Sequence, residues 1–102
     1  MGLEAVAKLS EIPEGGSKVV IVDGREVAVF RTESGLHAID NICPHRGGPL
    51  AEGFVRGTTV TCPWHAWDFD VMNGKCLTVP ECRVRAYPVR LAGDDVAVEV
   101  ES

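Results

Sequence analysis

The stretch that decides the fold begins with Cys43-Pro44-His45 and ends with Cys62-Pro63-Trp64-His65. Each end pairs a cysteine with a histidine, and residues 46–61 separate the two pairs. Thiolate sulfur and imidazole nitrogen are ligands of zinc and of iron–sulfur clusters. A proline stiffens the backbone of each pair, so both side chains of one loop can reach a common centre. We therefore predict a metal centre whose ligands are Cys43, His45, Cys62 and His65.

Two kinds of metal centre fit these residue types. A Cys₂His₂ zinc site places four ligands on one tetrahedral ion. A Rieske [2Fe–2S] centre places both cysteines on one iron and both histidines on the other. Zinc fingers group two cysteines in one segment and two histidines in another, whereas each segment here carries one of each. This distribution favours the two-iron centre, and a zinc-stabilised interaction module is the alternative from a different class.

Strand signals flank the two pairs. The β-branched run 18–22 and the run 25–31 enclose Asp23-Gly24, which is typical of a hairpin with a type I′ turn. Residues 36–40 and 58–61 resemble further strands, and a final hairpin is predicted around Gly93-Asp94. A helix is favoured only weakly, and only in the first ten residues. The pattern predicts an all-β protein.

The segment that carries the two pairs differs from its surroundings, because residues 41–53 are rich in glycine and proline and show no strand pattern. We predict a single domain over residues 1–102. Its antiparallel β-sandwich base domain comprises about residues 1–40 and 77–102. A loop-rich subdomain of about residues 41–76 is inserted between the strands of this base and holds the metal centre.

Charge and composition limit the kinds of partner and the cellular compartment that we expect for this chain. The net charge is −5 and the pI is about 5.1, which argues against binding to nucleic acid or to anionic lipid. We find no secretory signal, and the apolar run Val19–Val22 is too short to span a membrane. The expectation is a soluble, cytoplasmic monomer with no membrane partner.

Two cysteines and one histidine lie outside the paired motifs. In a reducing compartment, cysteines are expected as metal ligands or thiols and not as disulfides. We interpret Cys76 and Cys82 as structural or incidental thiols. A redox sensor is the weaker alternative, and it requires the two residues to lie within disulfide reach. We expect a structural or surface role for His37.

The ligand motif resembles that of the Rieske ferredoxins of bacterial oxygenase systems. The resemblance extends over the whole chain and includes residues 47–50, 67–70 and 87–89. It implies a Rieske fold with one [2Fe–2S] cluster, in which Cys43 and Cys62 bind the buried iron. It also implies that His45 and His65 bind the iron nearer solvent.

The same resemblance implies a function. Such a protein is not itself an enzyme but transfers single electrons from a flavin-dependent ferredoxin reductase to a terminal oxygenase, and its partners dock near His45 and His65. Within the same fold, the small subunit of an assimilatory nitrite reductase is the alternative.

The resemblance also sets an expected reduction potential. High-potential Rieske proteins carry a disulfide between the two cluster loops, and serine and tyrosine hydroxyls donate hydrogen bonds to the cluster and to a ligand sulfur. The aligned positions here are Gly48 and Trp64 for the disulfide, and Trp67 and Phe69 for the hydroxyls. Hydrogen bonds to sulfur stabilise the added electron, so their loss lowers the potential. We expect roughly −150 to −50 mV, the low end of the Rieske range.

Overall fold

A computed structural model of the chain describes residues 2–43, 47–64, 66–79 and 81–100. Within these ranges the chain forms strands joined by turns and two short 3₁₀ segments, at Leu9–Glu11 and Leu50–Glu52. The strands are β1 (Gly2–Lys8), β2 (Ser17–Val22), β3 (Arg25–Thr32), β4 (Gly35–Asp40), β5 (Phe54–Arg56), β6 (Thr59–Thr61), β7 (Asp68–Asp70), β8 (Ala86–Tyr87), β9 (Val89–Ala92) and β10 (Asp95–Val100). The all-β prediction is confirmed.

The strands form three antiparallel sheets, which have the orders β1-β10-β9, β2-β3-β4-β8 and β5-β6-β7. The hairpin predicted at Asp23-Gly24 is present between β2 and β3. Its two turn residues have φ values of 52° and 78°, as a type I′ turn requires. The predicted C-terminal hairpin is present as β9 and β10.

The weak expectation of an N-terminal helix is wrong. Residues Gly2–Lys8 form β1, which pairs with β10 in a register that shifts between Ala5 and Ala7. A helix this short is marginal in water on its own, whereas pairing with β10 satisfies the backbone of the segment. Strand β5 was not predicted either, because its three residues are too few to show a period.

The central strand β3 has both faces buried. Val27 and Val29 point into a core between the first and second sheets, while Ala28 and Phe30 point to the opposite side. The first core, here called the sandwich core, comprises Ile12, Val20, Val22, Val27, Val29, Ala38, Tyr87, Val96 and Val98. The second, here called the loop core, comprises Ala28, Phe30, Ile39, Cys43, Leu50, Val60, Cys62, Phe69, Val71, Cys76 and Val84. The second sheet, β2-β3-β4-β8, is therefore the middle layer of the molecule. The sandwich core lies on one of its faces and the loop core lies on the other.

Asn41 is buried, and it fastens the segment that follows β4 to the middle sheet. Its side-chain oxygen accepts a hydrogen bond from the Ala51 amide at 2.8 Å, and its side-chain nitrogen donates to Glu26 at 3.0 Å. Its backbone amide donates to the Glu26 carbonyl, and its carbonyl accepts from the Leu50 amide at 2.7 Å. Both ends of the loop are thus held at a fixed place beside β3.

Candidate metal centre

Cys43 and Cys62 occupy matching positions at the starts of two loops. Cys43 follows β4 after two residues, and Cys62 directly follows β6. Each cysteine is 1% exposed, and both belong to the loop core. The fold therefore brings the two predicted thiol ligands, which lie far apart in sequence, into one apolar environment.

The two loops share one pattern of backbone hydrogen bonds. In the first, the Cys43 amide donates to the Gly48 carbonyl at 2.9 Å, and the Gly47 amide donates back to the Cys43 carbonyl at 2.8 Å. In the second, the Cys62 amide donates to the Trp67 carbonyl at 2.8 Å, and the Ala66 amide donates to the Cys62 carbonyl at 3.0 Å. Each cysteine thus begins a loop of the same length and the same closure.

The backbone conformation of the two loops also matches. The fourth residue after each cysteine has a positive φ, which is 74° at Gly47 and 62° at Ala66. A left-handed conformation is unfavourable for alanine, so at Ala66 the loop closure holds the residue in it. The two loops therefore form a structural repeat, although their sequences share little beyond Cys-Pro.

The two loops touch each other at Gly48. A methyl group built on Gly48 would lie 2.8 Å from Sγ of Cys62 and 3.1 Å from Cγ of Trp64. Only a residue without a side chain lets the first loop approach the Cys62 sulfur and the indole of the second loop this closely. Gly48 and Trp64 are the positions at which high-potential Rieske proteins are expected to carry a disulfide.

The loop core also provides the apolar lining. Leu50, Val60 and Phe69 are fully buried in the core that holds the two cysteines. The donor set of two buried thiols, each followed within three residues by a histidine, fits a [2Fe–2S] cluster whose inner iron is bound by sulfur. The histidines His45 and His65 lie outside the described residues, so their part of the ligand prediction stays a prediction.

Apolar side chains flank the loops on the solvent side. Ile42, next to Cys43, is exposed, and Trp64 is 61% exposed although its indole lies over Gly48. Aromatic side chains are enriched where proteins bind partners, so the exposed Trp64 is a candidate contact residue.

His37, Cys76 and Cys82 lie outside the two loops that begin at Cys43 and Cys62. His37 on β4 lies within hydrogen-bond distance of the Ser34 hydroxyl, at 2.7 Å, and burial lowers its pKa below the usual value. Cys76 is buried in the loop core, and Cys82 packs against that core. Sequence reasoning missed Asn41, since a single asparagine belongs to no motif or period that would distinguish it from the asparagines of ordinary turns.

In the described part of the chain, no helix has the length and apolarity needed to cross a membrane.

The fold and the paired loops define a class of protein, the small all-β proteins in which two like loops each begin at a buried cysteine. A family model of the Rieske [2Fe-2S] domain matches residues 3–88. The chain belongs to this family, and its cofactor is a Rieske-type [2Fe–2S] cluster. The predictions of the family, the fold and the cofactor are confirmed.

The relatives identify the type of Rieske protein. The chain is 37% identical over 99 residues to the ferredoxin component of the naphthalene 1,2-dioxygenase system of Pseudomonas aeruginosa, covering 96% of this chain and 94% of that protein. It is 31% identical to the ferredoxin of carbazole 1,9a-dioxygenase from Nocardioides aromaticivorans, with a TM-score of 0.91 and coverage of 99% and 100%. These relatives are electron carriers and not catalytic components, which confirms the prediction that the chain is not itself an enzyme.

A third similarity bears on the alternative function. The structure of a protein from Mycobacterium tuberculosis, assigned as the small subunit of an NADH-dependent nitrite reductase, is 26% identical, with a TM-score of 0.90 and coverage of 99% of this chain and 97% of that one. Over nearly the whole chain, the identities of 37% and 31% to the two dioxygenase ferredoxins exceed the 26% to this subunit.

Proposed function

We propose that this protein carries single electrons from a flavin-dependent ferredoxin reductase to the terminal component of a ring-hydroxylating oxygenase. The observation that carries the proposal is the pair of like loops that bury Cys43 and Cys62 together, in a chain similar over its whole length to oxygenase ferredoxins. The bound cluster supplies one-electron chemistry. Its proposed ligands are Cys43, His45, Cys62 and His65.

The chain's own residues give the cluster its surroundings. The loop core excludes water from the sulfur side, and the closures at Gly48 and Trp67 fix the backbone that presents each cysteine. A rigid site suits electron transfer, because little has to rearrange when the charge changes. The division into a base domain and a cluster-binding subdomain is part of this proposal.

Docking is proposed at the loop end of the molecule, near His45 and His65. The exposed side chains of Ile42 and Trp64 provide apolar contact there, and the net charge of −5 suits a basic surface on each partner. An apolar patch of this kind supports weak contacts that form and dissociate quickly. The proposed state is a cytoplasmic monomer.

Reconstitution tests the proposal. The cluster-loaded protein is mixed with NADH, a flavin-dependent ferredoxin reductase and the terminal oxygenase of a naphthalene dioxygenase system, and product formation is followed. We expect turnover to rise in proportion to this protein until the oxygenase is saturated. The zinc-loaded protein is the control and should support none, because zinc has no redox chemistry. A cluster that the reductase reduces but no tested oxygenase reoxidises would contradict the oxygenase assignment while leaving the carrier role.

The nitrite reductase alternative is tested in the same way. Added to the large subunit of an NADH-dependent nitrite reductase, a genuine small subunit forms a stable complex and supports nitrite reduction. A ferredoxin of the proposed kind does neither. The colour of the purified protein checks that the cluster is loaded, since a zinc-loaded protein is colourless and a reduced Rieske cluster gives an EPR signal.

The reduction potential is expected to respond to a hydroxyl at position 69. Phe69 is fully buried in the core that holds both cysteines, and Phe69→Tyr adds a hydroxyl donor to that core. A hydrogen bond that is stronger in the reduced state by about 1.4 kcal/mol raises a one-electron potential by about 59 mV. We therefore expect a rise of roughly 60 mV in a protein-film voltammogram.

The matched control for this potential is Phe54→Tyr. Phe54 lies on β5 and is 74% exposed, so its hydroxyl would point into water and leave the potential unchanged. Equal shifts in the two variants would show that position 69 has no special access to the cluster.

A further inference from the structure

The segment that follows β7 brings the two remaining cysteines face to face. Lys75 and Arg83 form an antiparallel bridge, with the Cys76 amide donating to the Cys82 carbonyl at 3.3 Å on one side. On the other side the Val84 amide donates to the Gly74 carbonyl at 2.8 Å. In this register Cys76 and Cys82 are directly opposite each other.

Directly opposite residues of an antiparallel pair have their side chains on the same face. The pair makes one of its two possible cross-strand hydrogen bonds, since the Cys82 amide donates to the Val79 carbonyl at 3.0 Å. Opposite residues of an antiparallel pair have Cα atoms about 4.5 to 5.5 Å apart, within the range of about 4.4 to 6.8 Å that a disulfide spans. The burial agrees with this geometry, because Cys76 belongs to the loop core and Cys82 packs against the same core. The register therefore places the two cysteines at a backbone separation that a disulfide is able to span.

We propose that Cys76 and Cys82 form a reversible thiol–disulfide pair, a redox site separate from the metal ligands. Hydrogen peroxide is the oxidant. Cys82 is the more exposed of the two thiols, whereas Cys76 is only 5% exposed. The first reaction is accordingly assigned to Cys82, and Cys76 resolves it.

The chemistry balances in two steps. The Cys82 thiolate attacks one oxygen of the peroxide, the O–O bond breaks, and hydroxide leaves and takes up the thiol proton as water, so Cys82 becomes a sulfenic acid. The Cys76 sulfur then attacks the Cys82 sulfur, the S–O bond breaks and a second water leaves as the S–S bond forms. In total, two thiols lose two electrons and two protons, and one peroxide becomes two waters.

Because Cys76 lies in the loop core, formation of the disulfide changes the packing of that core. Cys76 shares the loop core with Cys43 and Cys62, and its Sγ accepts a hydrogen bond from the Val79 amide at 3.3 Å. A disulfide replaces that arrangement and closes the segment between the two cysteines covalently. Oxidation is thereby coupled to the packing beside the proposed cluster ligands.

Trypsin makes the test direct. Cleavage after Lys75 and Arg83 releases a peptide of residues 76–83 that contains both cysteines, while Cys43 and Cys62 fall in other peptides. The cluster-loaded protein is treated with hydrogen peroxide, its absorption spectrum is recorded, and it is denatured in excess N-ethylmaleimide before digestion. We expect peptide 76–83 to be unlabelled and lighter by two hydrogens, and dithiothreitol added before labelling to restore two labels.

Two variants separate the steps. In Cys76→Ser the sulfenic acid on Cys82 has no resolving thiol, so trapping by dimedone should increase at least tenfold over the unaltered protein. In Cys82→Ser the remaining Cys76 should stay labelled by N-ethylmaleimide at the same peroxide dose. Two labelled cysteines in the unaltered protein, at a dose that gives dimedone trapping in Cys76→Ser, would overturn the proposal. A disulfide that instead joins either residue to Cys43 or Cys62 would overturn it as well.

Discussion

Serine in place of Cys43 or Cys62 is expected to abolish the red-brown chromophore. The serine hydroxyl is a harder ligand than a thiol and stays protonated at neutral pH, so it does not replace thiolate on a soft iron–sulfide cluster. Iron and acid-labile sulfide in the purified variants should fall at least tenfold below the unaltered protein. The EPR signal of the dithionite-reduced protein should disappear with them.

The control for these variants is Cys76→Ala. Cys76 is also a buried cysteine of the loop core, so this variant reports what the loss of a buried sulfur does to packing alone. It should keep its iron and its colour. Loss of the chromophore in Cys76→Ala together with its retention in Cys43→Ser would refute the ligand assignment.

Alanine at Gly48 is expected to have the second large effect. The added methyl group would lie 2.8 Å from Sγ of Cys62, a distance at which the sulfur or the loop has to move. Overpacking of this kind costs about 1 to 3 kcal/mol, and here the strain falls on a proposed ligand atom. We expect Gly48→Ala to be purified with several-fold less iron than the unaltered protein.

Gly47→Ala is the neighbouring control. Gly47 has a positive φ, but among the residues that the structure describes only Ile42 comes within 4.0 Å of an added methyl group. Ala66 adopts the same conformation at the equivalent position of the other loop. This variant should cost about 1 kcal/mol of folding free energy and keep its cluster. Equal iron loss in both variants would mean that loop conformation, and not contact with Cys62, is what matters at Gly48.

Much of the fold could be predicted because its signals are local. The Asp23-Gly24 turn lies between two β-branched runs, and the resulting hairpin supplies the edge strand β2 and the inner strand β3 of the middle sheet. By contrast, residues Gly2–Lys8 have no strong strand pattern, and they form β1 only because β10, at the far end of the chain, offers a free edge. Long-range pairing of this kind overrides a weak local preference.

The candidate site likewise combines features that could be predicted from the sequence with features that could not. Cysteine and histidine at these spacings are rare enough that the sequence by itself indicates a metal centre. The supporting contacts could not be predicted, since they depend on distances across the fold. Asn41 bonding to Glu26, and Gly48 lying against Cys62, arise only where the two loops and β3 meet in space.

Neither face of strand β3 is exposed to solvent along residues 27–30, because one face packs into the sandwich core and the other into the loop core. The two cores therefore cannot melt one after the other without exposing apolar surface of the same strand. The molecule is built to unfold as one cooperative unit, in which the metal-bearing half and the plain β-half share their stability. Loosening of the metal site therefore lowers the stability of the whole chain. A well-packed sandwich core in turn holds the two cysteine loops in place.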